Sequence, residues 1–133
     1  RPSIMSTIQT TTVKANTLLH SDGSTTNPPA IPALDQRMAT AWVEFNGTGT
    51  IAINSSYNVS SLTDNSTGQY FVNFSNDMSN TVYPVVAGTV VPNYPGTIRV
   101  NPNGVTRCRV WTSSSTGSSY QDASVVSVLV FGP

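Results

Sequence analysis

Arg99, Arg107 and Arg109 lie close together near the end of the chain, and their type and spacing could serve ligand binding. Arg107 and Arg109 are two residues apart, so in a β-strand they project from one face, with Trp111 beyond them. Guanidinium groups beside an indole can hold an acidic sugar or a phosphate, because charge pairing then combines with aromatic stacking. The alternative interpretation is a solvated face on which these arginines form ion pairs with Glu44 or with an aspartate.

Two tyrosines lie in segments that the sequence predicts to be loops. Tyr94 is part of the turn sequence Asn93–Gly96, and Tyr120 follows the serine-rich run 113–119. Because loops on a rigid scaffold often carry binding residues, we expect these rings to stack on a neutral glycan; covering the end of a barrel is the alternative. The candidate receptor-contact residues are therefore Tyr94, Tyr120, Arg107, Arg109 and Trp111.

The residues needed for catalysis do not come together in this sequence. Nucleophilic catalysis requires a base beside the nucleophile, and the only histidine, His20, precedes the predicted β domain. Carboxylates that could form a glycosidase pair fall mostly in turns, where aspartate is favoured for its backbone hydrogen bonds. Those carboxylates are Glu44, Asp64, Asp77 and Asp122. We therefore expect a protein that is not an enzyme and that uses no cofactor or metal.

Cys108 is the only cysteine in the chain. A single cysteine excludes an internal disulfide, a multi-cysteine metal site and a Cys-x-x-Cys redox centre. Because Cys108 lies within an alternating run beside Val110, we expect its thiol to be packed in the core.

The composition restricts the partners that the chain can recognise. Charged residues make up 9% of the 133 residues and sum to a net charge of zero. A neutral chain has no long-range field that would draw it to nucleic acid or to an anionic membrane, so we expect neither partner. Serine, threonine and asparagine form roughly a third of the chain, which gives a neutral, hydroxyl-rich surface. We also expect no signal peptide and no membrane span, since no run approaches ~20 apolar residues.

The N-terminal part of the chain differs from the rest. Residues 1–33 have few apolar positions, and Asn27–Pro32 must be extended because each proline fixes its own φ. We expect these residues to form an extended arm that docks on another protein, followed by a β domain over residues 34–133; a flexible tail is the alternative. Pro32–Ala39 is the one helical signal, and it is too short to persist without a packing partner. Three copies could pack around an axis, so the candidate trimer-interface residues are Leu34, Met38, Ala41 and Trp42.

From Ala41 onward, apolar and polar residues alternate with the period of β-strands. Turn sequences separate the alternating runs, among them Asn46–Gly49, Asp64–Gly68 and Asn101–Gly104. Short strands with such turns predict an all-β fold: an antiparallel β-sandwich or barrel of about eight strands, with an extended N-terminal arm and one short helix. The predicted strands are 41–45, 50–54, 57–62, 69–74, 82–87, 97–101, 105–112 and 124–131.

Several short motifs occur together along the predicted β domain. They are Ala41–Thr50 (AWVEFNGTGT), Ser56–Ser61 (SYNVSS), Thr63–Asn65 (TDN), Thr67–Tyr70 (TGQY), Val72–Ser75 (VNFS) and the closing run Ser124–Gly132 (SVVSVLVFG). In this combination the chain resembles, from Thr40 to Gly132, a small β domain of phage tail-fibre and related virion proteins. The N-terminal segments Ser6–Gln9 and His20–Ser24 resemble the arms of short, self-contained phage proteins.

The resemblance implies a virion protein that is assembled in the host cytoplasm as a homotrimer. Two interpretations remain open: a fibre or spike knob that contacts the host surface, and a capsid or tail decoration protein. A non-phage adhesive module is a third. In the virion interpretations we expect the arm to bind other virion proteins, and in the knob interpretation we expect the β domain to bind a host surface glycan.

Overall fold

Alternating residues build eight β-strands, and no helix, in the part of the chain that the structure describes. The structure, a computed structural model, describes residues 37–90, 96–114 and 116–132 together with Thr12. All eight strands lie within the compact unit Pro32–Pro133. The strands are β1 Ala39–Asn46, β2 Ala52–Tyr57, β3 Val59–Ser66, β4 Gln69–Phe74, β5 Val85–Val90, β6 Thr97–Pro102, β7 Arg107–Ser113 and β8 Val125–Phe131.

The strands form two four-stranded sheets in which every pairing is antiparallel. Sheet A has the strand order β2-β1-β8-β5, and sheet B has the order β3-β4-β7-β6. Hairpins join β1 to β2, β3 to β4 and β6 to β7, whereas the other connections pass between the sheets. The predicted antiparallel sandwich of about eight strands is thus confirmed. The barrel alternative does not apply, because the two sheets are separate.

The core lies between the sheets and consists of the inward-facing residues of their central strands. Burial alternates along β1, β4, β7 and β8, as expected for strands with one face covered. The rings of Phe45 and Tyr70, one from each sheet, meet edge to face with centroids 5.2 Å apart. Burying a Val or Phe side chain contributes about 1.5–3 kcal/mol, so these strands supply much of the stability. Their buried apolar residues are Ala41, Val43, Phe45, Tyr70, Val72, Phe74, Cys108, Val110, Val126, Val128 and Val130.

A cluster of hydrogen bonds ties the hairpins of both sheets to the segment before β8. The Tyr70 hydroxyl lies 3.0 Å from both the Gly47 carbonyl oxygen and Asp122 Oδ1. The Gly68 backbone N–H donates to the same Asp122 oxygen at 2.7 Å, and the Thr112 N–H donates to the Gly68 carbonyl at 2.8 Å. We term Gly47, Gly68, Tyr70, Thr112 and Asp122 the polar cluster. It fixes the point at which the chain leaves the core before β8.

The start of the first strand differs from the sequence prediction. Residues 37 and 38 form a turn and a bend and β1 begins at Ala39, so the expected helix does not extend through residues 37–39. Ala41 is fully buried in the core, where its strand pairs with β8, so its placement on a helical stripe with Met38 is wrong. Pairing gives this segment a hydrogen-bonded ladder and a buried face, which a two-turn helix lacks. Leu34 and the predicted arm lie outside the described residues, apart from Thr12.

Candidate functional site

The outer face of sheet B carries a row of guanidinium and aromatic groups. The inward positions of β7 are buried, so Arg107, Arg109 and Trp111 project outward, as the alternation predicted. Strand β4 contributes Phe71, which pairs directly with Arg109, and β6 contributes Arg99, which pairs directly with Trp111. The strand order β4-β7-β6 therefore brings together residues that are distant in the sequence. We term these residues the arginine–aromatic ladder.

Each aromatic ring of the ladder contacts two guanidinium groups. From the centroid of the Phe71 ring, Arg107 Cζ lies at 4.1 Å and Arg109 Cζ lies at 5.4 Å. From the centroid of the Trp111 ring, Arg109 Cζ lies at 4.5 Å and Arg99 Cζ lies at 6.0 Å. Cation–π contacts of this kind contribute about 0.5–1 kcal/mol at exposed positions. The rings therefore hold the guanidinium groups in place without neutralising their charge.

The hydrogen-bond acceptors of the ladder arginines are neutral amides. Arg107 Nε donates to Asn103 Oδ1 at 3.0 Å, and Arg109 Nη2 donates to Gln69 Oε1 at 3.0 Å. Arg109 Nε is shielded from solvent and has no hydrogen-bond partner among the described residues. Because an amide oxygen carries no net charge, the positive charge of the ladder stays available to an anion.

The alternative interpretation of the arginines, in which they form an ion pair with Glu44, is wrong. Glu44 lies on the outer face of sheet A, paired with Ser55 and Ser127, on the opposite side of the sandwich from the ladder. Asp122 is held in the polar cluster, where its carboxylate accepts hydrogen bonds from the Gly68 N–H and the Tyr70 hydroxyl. Neither carboxylate therefore neutralises the arginines of sheet B.

A cleft of about 390 Å³ opens at the end of the ladder that carries Arg99 and Trp111. It is lined by Thr97, Arg99, Trp111, Ser113 and residues 117–120. Its volume falls within the range of small-molecule sites, about 300–1,000 Å³. The lining thus combines one guanidinium, the rings of Trp111 and Tyr120, and several hydroxyl groups.

The wall of the cleft that carries Tyr120 is held against β7 by the backbone. Ser113 and Tyr120 pair as an isolated antiparallel bridge, and the Ser114 N–H donates to the Ser119 carbonyl at 3.0 Å. Directly beyond this loop, Asp122 anchors the chain in the polar cluster. The wall therefore rests on the same hydrogen bonds that close the end of the sandwich.

The structure brings some of the predicted receptor-contact residues together. Trp111 and Tyr120 line the same cleft. Arg109 contacts the Trp111 ring from outside the cleft, and Arg107 lies farther along the ladder, where it contacts Phe71 but not Trp111. Tyr94 lies outside the described residues.

Two ladder residues were not among the predicted contacts. Arg99 was grouped with the other arginines but not placed in the site, and Phe71 was not singled out. The available signal for Phe71 is its outward position between the buried Tyr70 and Val72 of β4. The alternation shows that the Phe71 side chain faces outward, but it does not show which residues of other strands lie beside it, because this depends on the order of strands in the sheet.

Other reactive groups lie apart from the cleft. Among the described residues, no group of three or more His, Cys, Asp or Glu side chains could hold a metal ion. Cys108 is buried in the core, as the sequence predicted, and burial raises the pKa of its thiol to about 12. Within the described ranges, no helix is long and apolar enough to cross a membrane.

Comparisons with protein-family models, with curated proteins and with solved structures find no match to this chain. The resemblance to phage virion proteins therefore stays a prediction. The fold and the site together define a β-sandwich domain with a cationic, aromatic outer face and a hydroxyl-lined cleft. Such an arrangement can attract an anion and pack a ring-shaped ligand against its aromatic side chains.

Proposed function

We propose that this protein is a structural protein of a phage virion, the knob of a fibre or spike that attaches to a saccharide on the host surface. The resemblance over Thr40–Gly132 supports the virion assignment. The ladder and the cleft support the binding role. In this proposal the protein recognises its ligand without chemically changing it.

The observation that carries the binding role is the meeting of Arg99, Trp111 and Tyr120 in one cleft. The C–H-bearing face of a sugar is apolar enough to pack on an aromatic ring, and its hydroxyl groups exchange hydrogen bonds with polar side chains. The cleft offers both kinds of contact on a rigid sandwich, the usual arrangement for binding loops.

Binding of the purified full chain to a panel of bacterial surface polysaccharides tests this role. We expect the wild-type chain to bind at least one polysaccharide and Trp111→Ala and Tyr120→Ala to bind it more weakly, with little change in melting temperature. Val82→Ala and Ile53→Ala are the controls, because both side chains are exposed and neither residue lines the cleft. Failure of the wild type to bind any polysaccharide, or equal losses in the control variants, would contradict the proposal.

The number of copies in a virion distinguishes a knob from a decoration protein. Quantitative mass spectrometry of purified particles should give on the order of tens of copies for a symmetric fibre or spike. Hundreds of copies would assign the chain to the capsid lattice instead. The same measurement tests the anchoring role of the arm. A chain that lacks residues 1–33 should fold but should be missing from the particles, because it cannot bind other virion proteins.

We propose in addition that the protein forms a homotrimer. Met38 and Trp42, which the sequence placed at the interface, are 53% and 38% exposed and are free to contact another copy. Ala41 is fully buried within its own domain and drops out of the proposed interface. Leu34 lies outside the described residues, so its part in the proposal rests on the sequence alone.

Trp42 belongs to an exposed apolar row that crosses all of sheet A. Trp42 pairs with Tyr57 on one side and with Leu129 on the other, and Leu129 pairs with Val86. All four side chains are exposed. An uninterrupted apolar row on a surface is typical of a protein–protein contact, which supports self-association through this face.

A further inference from the structure

We propose that the cleft binds an anionic saccharide, with Arg99 holding the oxyanion and with Trp111 and Tyr120 packing on the sugar ring. This inference rests on the proposed function and names the ligand class of the same site. It replaces the neutral glycan that the sequence predicted for Tyr120.

The charge of sheet B favours an anionic ligand. Sheet B contains three arginines and one acidic residue, Asp64 on the edge strand β3, although the whole chain has a net charge of zero. Asp64 pairs with the inward-facing Tyr70, so strands β4, β7 and β6, which carry the ladder, have no acidic residue. Like charges repel, and the ladder holds all three guanidinium groups along one row. A bound oxyanion would relieve this repulsion, whereas a neutral sugar would leave it unchanged.

Within the cleft, Arg99 is the residue with donors to spare. Arg107 and Arg109 each donate a hydrogen bond to a neighbouring amide. The Arg99 side chain is exposed and has no hydrogen bond to any described residue. Its Cζ lies 6.0 Å from the centroid of the Trp111 ring, at the outer limit of cation–π attraction. Its planar guanidinium can therefore give two parallel N–H groups to a carboxylate or a phosphate. Among the described residues that line the cleft, it is the only charged one.

The rest of the lining indicates a sugar rather than a bare anion. Five hydroxyl-bearing residues line the cleft together with Arg99: Thr97, Ser113, Ser118, Ser119 and Tyr120. Inorganic phosphate would use the guanidinium but would leave the aromatic rings and most hydroxyls without a contact. A sugar that bears one oxyanion uses all three kinds of group, because its ring packs on an aromatic face and its hydroxyls both donate and accept.

An array of matched acidic and neutral saccharides tests the ligand class directly. Uronic-acid oligosaccharides are immobilised beside their carboxyl-reduced counterparts, and phosphorylated saccharides are immobilised beside their dephosphorylated counterparts. The full chain is then applied to the array with and without inorganic phosphate. We expect the chain to bind at least one acidic saccharide. It should bind the neutral counterpart at least about tenfold more weakly, because one charge-assisted contact is lost. The type of pair that responds shows whether the oxyanion is a carboxylate or a phosphate.

A matched pair of arginine substitutions separates a local contact from a general charge effect. Arg99→Gln should weaken binding of the acidic saccharide about tenfold or more, whereas Arg37→Gln removes the same charge from an exposed residue outside the cleft lining and should have little effect. Arg99→Lys should bind the acidic saccharide more tightly than Arg99→Gln but more weakly than the wild type, because an ammonium group keeps the charge but lacks the two parallel N–H groups of a guanidinium.

The outcomes distinguish this inference from the proposed function. Equal binding to acidic and neutral members of each pair would overturn the anionic ligand while leaving saccharide attachment intact. The same conclusion would follow if Arg99→Gln and Arg37→Gln weakened binding equally, or if inorganic phosphate displaced the saccharide completely at comparable concentration. Binding to no saccharide at all would overturn both proposals.

Discussion

Replacing Tyr70 with phenylalanine tests the hydrogen bonds that support the wall of the cleft. Tyr70 is fully buried, and its hydroxyl lies 3.0 Å from both the Gly47 carbonyl and Asp122. Phenylalanine keeps the edge-to-face contact with Phe45 but removes the hydroxyl from both acceptors. Asp122 keeps the hydrogen bond from the Gly68 N–H, whereas the Gly47 carbonyl loses its side-chain donor. Leaving a buried acceptor unsatisfied costs about 1–3 kcal/mol, so we expect the free energy of unfolding at pH 7 to fall by that amount.

The same substitution should change how stability depends on alkaline pH. Burial, followed by the hydrogen bond to Asp122 and its negative charge, raises the pKa of Tyr70 from 10.0 to about 12. A raised pKa in the folded state means that the stabilisation is complete below pH 10 and is lost as the pH rises through 12. A rise of the pKa from 10.0 to about 12 corresponds to roughly 3 kcal/mol. The wild-type chain should therefore lose up to that much more stability than Tyr70→Phe over this interval.

Urea unfolding followed by circular dichroism at a series of pH values from 7 to 11.5 measures both effects. The stability gap between wild type and Tyr70→Phe should be widest near neutral pH and should narrow above pH 10. Other groups that titrate at high pH are present in both proteins and do not affect the difference. Tyr57→Phe is the control, because the Tyr57 side chain is 42% exposed. A gap that does not change with pH, or an equal loss in the control, would show that the Tyr70 hydroxyl is not held in a buried cluster.

The remaining predictions concern backbone fit, thiol reactivity and self-association. Gly68 and Gly49 both have φ of 62°, but a Cβ at Gly68 would clash with the Thr112 carbonyl whereas one at Gly49 meets open space. Gly68→Ala should therefore cost at least about 2 kcal/mol in urea unfolding and Gly49→Ala about 1 kcal/mol; similar losses would exclude the clash. Burial and a raised pKa should make Cys108 unreactive toward iodoacetamide at pH 8 until urea is added, as mass spectrometry would show, and rapid alkylation of the folded protein would contradict this. Light scattering at micromolar concentration should give a trimer that weakens when Trp42→Thr is combined with Leu129→Thr; a wild-type monomer would exclude self-association.

Much of the sandwich could be predicted from alternation, because its strands bury one face and expose the other. The alternation predicts a strand over 69–74, and the structure has β4 at Gln69–Phe74. The fifth strand is predicted over 82–87 but found at Val85–Val90. Val82 is 82% exposed and Pro84 lacks an N–H for a ladder, while Tyr83 is buried outside any strand, where its hydroxyl donates to the Arg107 carbonyl at 2.8 Å. These residues satisfy the alternation without belonging to a strand.

The predicted helix does not extend through residues 37–39 for a related reason. Leu34, Met38 and Ala41 have helical spacing, but Ala41 also begins the alternating run of β1. A single sequence cannot show which pattern prevails, since the outcome depends on whether a distant strand is available for pairing. Here that strand is β8, which follows about eighty residues later in the chain and pairs with β1 from Ala39 onward.

The candidate site was predicted in its parts but not in its assembly. Alternation places Arg107, Arg109 and Trp111 on one face, and the structure agrees. Alternation alone does not place Phe71 or Arg99 beside these residues, because those contacts require β4 and β6 to flank β7 in the sheet. Strand order is set by the packing of the whole core rather than by any local pattern, so the ladder could be recognised only after the sheet was known.

Stability and recognition use opposite faces of β7, and this separation shows how a loss of binding should be interpreted. The buried faces hold the sandwich together, whereas the exposed Arg99 and the outward-facing Trp111 add little beyond the cation–π contacts of the Trp111 ring with Arg99 and Arg109. Changes at these positions should therefore reduce binding without reducing stability. Asp122 differs, because it belongs to the polar cluster and also lies directly after the loop that carries Tyr120. A change there should reduce stability and binding together, so a loss of binding identifies ligand contacts only where the melting temperature is unchanged.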